Sequence, residues 1–185
     1  YNTLYQIATG KQAGKRQFLA ASYDYRFFQN RIYSSRSAAL TLEIYDLTGK
    51  RIRRLHYPHT PKRLCKDFYQ RFYRFLRQNR PPQFLRFFKT RVIFPTYFPA
   101  INGICIDQNT LYLLTHIHLK GKVQFIAINL KSFKKRSFFI QFFMQSPIHP
   151  LPYSIRDGYL YQLYDNPESE TWELHRIPIP DSASL

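Results

Sequence analysis

The sequence predicts an all-β fold built from repeated four-stranded antiparallel units and interrupted by one helical insertion. Three observations carry this expectation. Phe and Tyr, 17 and 15 of the 185 residues, join Ile, Leu and Thr in filling the periodic segments, while alanine-rich or glutamate-rich helical runs are nearly absent; such side chains suit a pleated, half-buried surface. A short polar turn leads into an aliphatic and tyrosine pair three times: Gln29-Asn30 before Ile32-Tyr33, Gln108-Asn109 before Leu111-Tyr112, and Asp157-Gly158 before Tyr159-Leu160-Tyr161. Each of these segments has one strand pattern before it and another after it, so the whole unit repeats.

Taken from the N-terminus, residues 1–10 read as the tail of one unit. Thr9-Gly10-Lys11-Gln12-Ala13-Gly14-Lys15-Arg16 superficially matches a phosphate loop. Thr9 replaces its first Gly, however, and Arg16 replaces the Ser or Thr that holds magnesium, so the segment reads as a basic hairpin loop. The first full unit covers 18–58, with a strand at 18–23, the Ile32-Tyr33 strand, an alternating strand at 41–47, and a fourth at 51–55 after Thr48-Gly49-Lys50. The second covers 93–143, with strands at 101–106, at Leu111-Tyr112, at 123–130, and at 136–140 after Lys131-Ser132-Phe133-Lys134. The last, 151–180, has three strands, at 153–155, at Tyr159-Leu160-Tyr161 and at 171–177.

Tyr112 and Tyr161 lie 49 positions apart, whereas Tyr33 and Tyr112 lie 79 apart. Known propeller repeats run roughly 40 to 50 residues, so the longer interval holds an insertion of about 30. Residues 61–91 depart from the strand pattern and account for it. Their centre sets apolar side chains at 68, 72 and 75 and at 69, 73 and 76, a helical spacing, with Arg71, Arg74 and Gln78 toward another face. Pro81-Pro82 ends that helix.

Repeating units of four antiparallel strands are the sequence signature of β-propeller blades. Two segments resemble the six-bladed β-propeller proteins of bacteria, the group with NHL-type repeats and many uncharacterised secreted propellers. One is the proline-bracketed run Ile93-Phe94-Pro95-Thr96-Tyr97-Phe98-Pro99-Ala100, continuing into Ile101-Asn102-Gly103-Ile104-Cys105-Ile106-Asp107. The other is Leu42-Glu43-Ile44-Tyr45-Asp46-Leu47-Thr48-Gly49-Lys50. The sequence departs from that family in Thr110, where Gly is usual, in its basicity and in the arginine-aromatic helix. The resemblance implies a propeller fold and export to the periplasm or cell surface. The units amount to about three and a half blades at the known repeat length, which leaves the ring partial. A propeller needs at least four. The expectation is therefore a C-terminal portion of a longer polypeptide, or missing blades supplied by another chain.

Charge narrows the function classes. Lys and Arg number 28 against 11 Asp and Glu, a formal +17, yet 44% of residues are apolar, which a disordered basic tail would lack. No run reaches the roughly 20 apolar residues of a membrane span. Two cysteines, Cys65 and Cys105, exclude a disulfide framework and a four-cysteine zinc site. Ten basic residues gather in the insertion: Lys62, Arg63, Lys66, Arg71, Arg74, Arg77, Arg80, Arg86, Lys89 and Arg91, against Asp67 alone and interleaved with eight aromatics. Cations with aromatic faces suit single-stranded nucleic acid or RNA; an acidic protein partner would be drawn by the same charge. The bland alternative is a helix with its aromatics buried and its arginines solvated. A second basic run, Lys131 with Lys134-Lys135-Arg136, reads as protection of a sheet edge.

Catalytic chemistry finds little support. His116 and His118 stand two apart on one strand, a spacing that can offer two imidazoles to zinc, but no carboxylate or cysteine lies near in sequence, and Thr-His-Ile-His-Leu reads as an exposed strand face. Cys105 alternates with Ile104 and Ile106 and reads as core, while Cys65 begins the basic helix. No Gly-x-Ser-x-Gly elbow occurs. The resemblance also implies a third possibility, a lactonase-like hydrolase holding a cation through residues such as Glu43, Asn102, Asp107 and Asn129. The sequence is thus read as a non-enzymatic binding and scaffolding module, without cofactor or metal, whose insertion docks to an acidic partner. An RNA-bound component is the alternative.

Overall fold

A computed structural model describes residues 16–19, 23–36 and 39–180. The expected blade tail, 1–10, and all of the basic loop except Arg16 lie outside the described residues. The first sheet holds strands β2 (Tyr23–Phe28), β3 (Arg31–Arg36), β4 (Thr41–Tyr45) and β5 (Arg51–His56) in that order, all antiparallel; the short β1 (Arg16–Gln17) precedes it. Two helices follow, α1 (Lys66–Asn79) and α2 (Pro82–Arg91), and then β6 (Val92–Ile93), which pairs parallel with β1. The second sheet runs β7 (Gly103–Asp107), β8 (Thr110–Leu119), β9 (Lys122–Asn129) and β10 (Lys135–Gln141), again as a sequential antiparallel meander. The third has β11 (Tyr153–Arg156), β12 (Tyr159–Asn166) and β13 (Thr171–Pro178). The chain is therefore mostly β, with three antiparallel sheets of three or four strands and a helical insertion of two helices.

Two of the three repeated turns have a common physical basis, while in the third Gln108 alone takes positive φ, 50°. Gln29 and Asn30 both take positive φ, 46° and 57°, and Asp157 and Gly158 do likewise at 50° and 76°. Two successive left-handed residues give the turn twist that matches paired strands. This turn also corrects the expected strand at 18–23. Phe28 pairs with Arg31 directly across Gln29-Asn30, so the strand before the turn must run up to Phe28, and it starts at Tyr23. Phe18 packs instead beside the helices. The hairpins joining third and fourth strands repeat another device. The Asp46 carboxylate accepts hydrogen bonds from Thr48 N (2.9 Å) and Lys50 N (3.0 Å), and the Asn129 amide oxygen accepts from Lys131 N (3.0 Å) and Ser132 N (2.9 Å). Short polar side chains of this kind hold a turn by mimicking its backbone bonds.

The sheets stack face to face. Leu42 and Ile44 of the first meet Leu111, Leu113 and Ile128 of the second, all within 2% exposure, while Leu114, Phe125 and Phe138 on the opposite face meet Ile155 and Leu160 of the third. Alternation explains this. β8 and β9 send successive side chains to opposite faces, and because both are apolar the strand reads as a continuous hydrophobic run; burying each such side chain contributes roughly 1.5–3 kcal/mol. The first strands of the sheets adjoin one another, β2 beside β7 and β7 beside β11. Gly103 of β7 sits directly against the Tyr153 hydroxyl of β11, a contact closed to any larger residue. The outer faces of the stack are different: Tyr25 and Phe27 on the first sheet and Trp172 and Leu174 on the third are each more than 60% exposed.

Candidate basic docking surface

The insertion is a closed unit before it is a charged one. Its two ends run side by side, since Leu64 N donates to Thr96 O (3.0 Å), Phe98 N donates to Lys62 O (2.8 Å), and Arg63 bridges Tyr97. Helix α1 then buries Phe68, Phe72 and Leu76, one residue per turn along a single face. Phe72 lies at the centre of an aromatic cluster, with ring centroids 5.1 Å from Phe18, 5.1 Å from Phe88 and 5.7 Å from Phe94. Edge-to-face and tilted rings at such distances stabilise beyond their buried area. Of the α1 aromatics read from the sequence as a buried face, Phe68 and Phe72 are buried, and Tyr69, Tyr73 and Phe75 are half-buried.

Proline explains both what the sequence revealed here and what it hid. Pro81 and Pro82 do end α1, where Arg80 N donates to Leu76 O (3.1 Å). Pro82 is also the first residue of α2, a position that needs no N–H donor and favours the fixed proline φ. The insertion thus contains two helices where one was expected. α2 buries none of its side chains fully, and it leaves Phe84 at 47% and Phe87 at 37% exposure beside Arg86, Lys89 and Arg91.

Nine of the ten candidate residues are exposed: Arg63 on the stem, Lys66, Arg71, Arg74 and Arg77 on α1, Arg80 at its end, and Arg86, Lys89 and Arg91 on α2. Their only ion pair with a carboxylate among the described residues is Arg71 to Asp67, at 2.9 Å. That exposed i,i+4 pair is worth about 0.3–0.5 kcal/mol. Lys62 is the exception. It is half-buried, its Nζ donates to His116 O (2.9 Å), and it lies over the Phe98 ring rather than on the helical surface. Burial, aided by the charge of Arg71, lowers its pKa.

The histidine pair also differs from expectation. His116 is 4% exposed, with its ring stacked on Phe98 at 4.8 Å, because the β8–β9 register shifts between Leu114 and His118. Burial, then the positive surroundings of His118, Lys62 and His149, drives its pKa down to about 3. His118 is exposed; desolvation and the charges of Lys62 and Arg71 lower its pKa to about 4, a shift that its contact with water tempers. Among the described residues no group of three or more His, Cys, Asp or Glu is placed to hold a metal ion. Glu43 is engaged by Arg51 (3.2 Å), Arg54 (3.6 Å) and the Tyr45 hydroxyl (2.9 Å), while Asn102 donates to Ile148 O (3.3 Å) and Asn129 holds its turn. Asp107 accepts a long hydrogen bond from Gly158 N (3.4 Å). Cys65 is exposed and free, and Cys105 is half-buried, free and raised in pKa chiefly by desolvation.

The basic run at the β9–β10 hairpin is fastened to its neighbours. Lys135 Nζ donates to Pro58 O (2.8 Å) and Arg136 Nη1 to Pro180 O (2.7 Å), and β10 is the edge of its sheet. No described helix is long and apolar enough to cross a membrane. Neither protein-family models nor curated proteins give a match to this chain.

Proposed function

We propose that the chain is a binding and scaffolding module of β-propeller type, docking through its two-helix basic insertion onto an acidic protein surface. The observation that carries this is the insertion itself. Nine exposed cations with one carboxylate partner share the insertion with the exposed rings of Phe84 and Phe87, while an aromatic core fixes α1. Rigid presentation lowers the ordering cost of docking. Arg and aromatic side chains are the types enriched at interface hot spots.

The propeller reading rests on three features: sequential antiparallel sheets, face-to-face stacking, and first strands that adjoin one another from sheet to sheet. In this reading further blades, from a longer polypeptide or another chain, cover Tyr25 and Phe27 at one end and Trp172 and Leu174 at the other. The resemblance to exported bacterial propellers makes the periplasm or cell surface the compartment. A protein partner is favoured over RNA because Phe68 and Phe72 of α1 are buried and withdrawn from base stacking, which leaves Phe84 and Phe87 of α2 as the exposed rings of the helices.

Affinity purification of the native protein, with and without the triple change Arg74→Ala, Arg77→Ala and Arg86→Ala, tests the docking. The expected outcome is an acidic protein retained by the native chain and lost by the variant. Retention of the same partner by the variant overturns the reading, as does capture of RNA with a steep salt dependence that the triple change removes.

A further inference from the structure

A cleft of about 300 Å3 opens where the segment after β5 meets the second sheet. Its walls include Pro58, Phe98, Pro99, Ile117 and Ile126, and its polar groups include Lys62, His59, Lys135, Thr60, Thr115 and Ser137. None of the described residues that line it is acidic. Two cations are already fixed there, each by a backbone carbonyl and each over an aromatic ring: Lys62 Nζ on His116 O (2.9 Å) and over Phe98, and Lys135 Nζ on Pro58 O (2.8 Å) and over Tyr57. An ammonium group has three N–H donors, so each retains donors beyond the one given to a carbonyl. Arg136 also lines the cleft; one of its five N–H donors is given to Pro180 O, and its charge adds to the positive potential there.

We infer that this cleft binds a small organic oxyanion, a phosphate or carboxylate head on an apolar body, between Lys62 and Lys135. The half-buried ammonium of Lys62 and the exposed one of Lys135, without a carboxylate, leave positive potential in a concave site, which an oxyanion neutralises through charge-assisted hydrogen bonds. Burial, with Arg71 second, lowers the pKa of Lys62, and burial, then His56 and Lys135, lowers that of His59. The apolar walls suit the rest of the ligand, and the volume lies at the small end of ligand pockets. This site is separate from the exposed surface of the helices, so it does not depend on the docking proposal.

Titration calorimetry and 1H–15N NMR with phenyl phosphate, inorganic phosphate and benzoate test the inference. Expected is saturable binding of phenyl phosphate or benzoate with shift changes confined to residues around His59, Lys62 and Ser137. Lys62→Met should weaken it about ten- to hundred-fold, the loss of one charged hydrogen bond. Lys135→Met serves as a second variant should Lys62→Met fail to fold. The triple helix variant Arg74→Ala, Arg77→Ala and Arg86→Ala should leave binding unchanged. Stronger binding of phenyl phosphate than benzoate identifies a phosphoryl ligand, and the reverse a carboxylate. Absence of saturable binding by all three probes overturns the inference, as does binding that survives both lysine changes but falls with the helix variant.

Discussion

Acidification should destabilise the fold through His116, and the size of the effect follows from its burial. The ring is 4% exposed and its pKa in the fold is about 3, against 6.5 for an ordinary histidine. Between those values the unfolded chain binds a proton that the folded one refuses, so stability rises with pH and is lost as pH falls below about 6.5. Linkage at 1.36 kcal/mol per unit gives a loss of about 2 kcal/mol between pH 7 and pH 5. For a chain of this length that corresponds to roughly 4–8 °C in Tm. His118 and His149 have lowered pKa values and act in the same direction, as do Asp46 and Glu173, whose folded pKa values are also depressed. The comparison must therefore be with a variant. His116→Phe keeps a flat ring to stack on Phe98 and removes the titration. Urea unfolding at pH 7 and pH 5 should show the native chain losing about 2 kcal/mol more than the variant over that interval. Equal losses in the two proteins would refute the assignment of a buried neutral imidazole at this position.

Two further outcomes check the packing. Gln162 is fully buried and acts as a clip, its Oε1 accepting from Phe143 N (2.8 Å) and its Nε2 donating to Phe143 O (2.7 Å); Gln162→Leu should cost roughly 1–3 kcal/mol for each orphaned group and raise amide exchange at Phe143. Phe72→Ala should cost about 3–5 kcal/mol in urea unfolding, as an emptied core site. Phe84→Ala should cost clearly less, about 1 kcal/mol or below, because that ring is 47% exposed; similar losses for both would mean that α2 is packed as tightly as α1.

Strand and turn chemistry was legible because it is local. Gln29-Asn30, Asp157-Gly158 and Thr48-Gly49-Lys50 name their turns, and alternation names strands such as β4 and β9. What the sequence concealed depends on distant partners. Phe18 resembles any strand residue until Phe72, Phe88 and Phe94 are beside it. His116 reads as exposed because Thr-His-Ile-His-Leu is an ordinary pattern for an exposed strand face, and the ring lies inward where the β8–β9 register shifts. Pro82 carries two meanings, a stop for α1 and a start for α2, and the helical spacing of Phe84, Phe87 and Phe88 after it was the available signal for the second. Lys62 looks like the first cation of a basic helix, yet it precedes α1 by four positions and is drawn under Phe98 by the pairing of the insertion's two ends.

The charge distribution follows from the stacking. A sheet buried on both faces cannot place cations on its middle strands, because an unpaired buried charge costs several kcal/mol. Among the described residues the basic side chains lie mostly on edge strands, in turns and in the insertion, and Arg31, Arg36 and Lys122 stand at the ends of the middle strands β3 and β9. Edge strand β5 carries Arg51, Arg53 and Arg54, and edge strand β10 begins with Lys135 and Arg136, positions where charge also discourages unwanted strand pairing. The cleft lies between the segment leaving β5 and the start of β10. Its unbalanced positive potential is then a consequence of how neighbouring sheets must exclude charge from their shared core. The insertion adds Lys62 to a site that the sheet edges had already made basic.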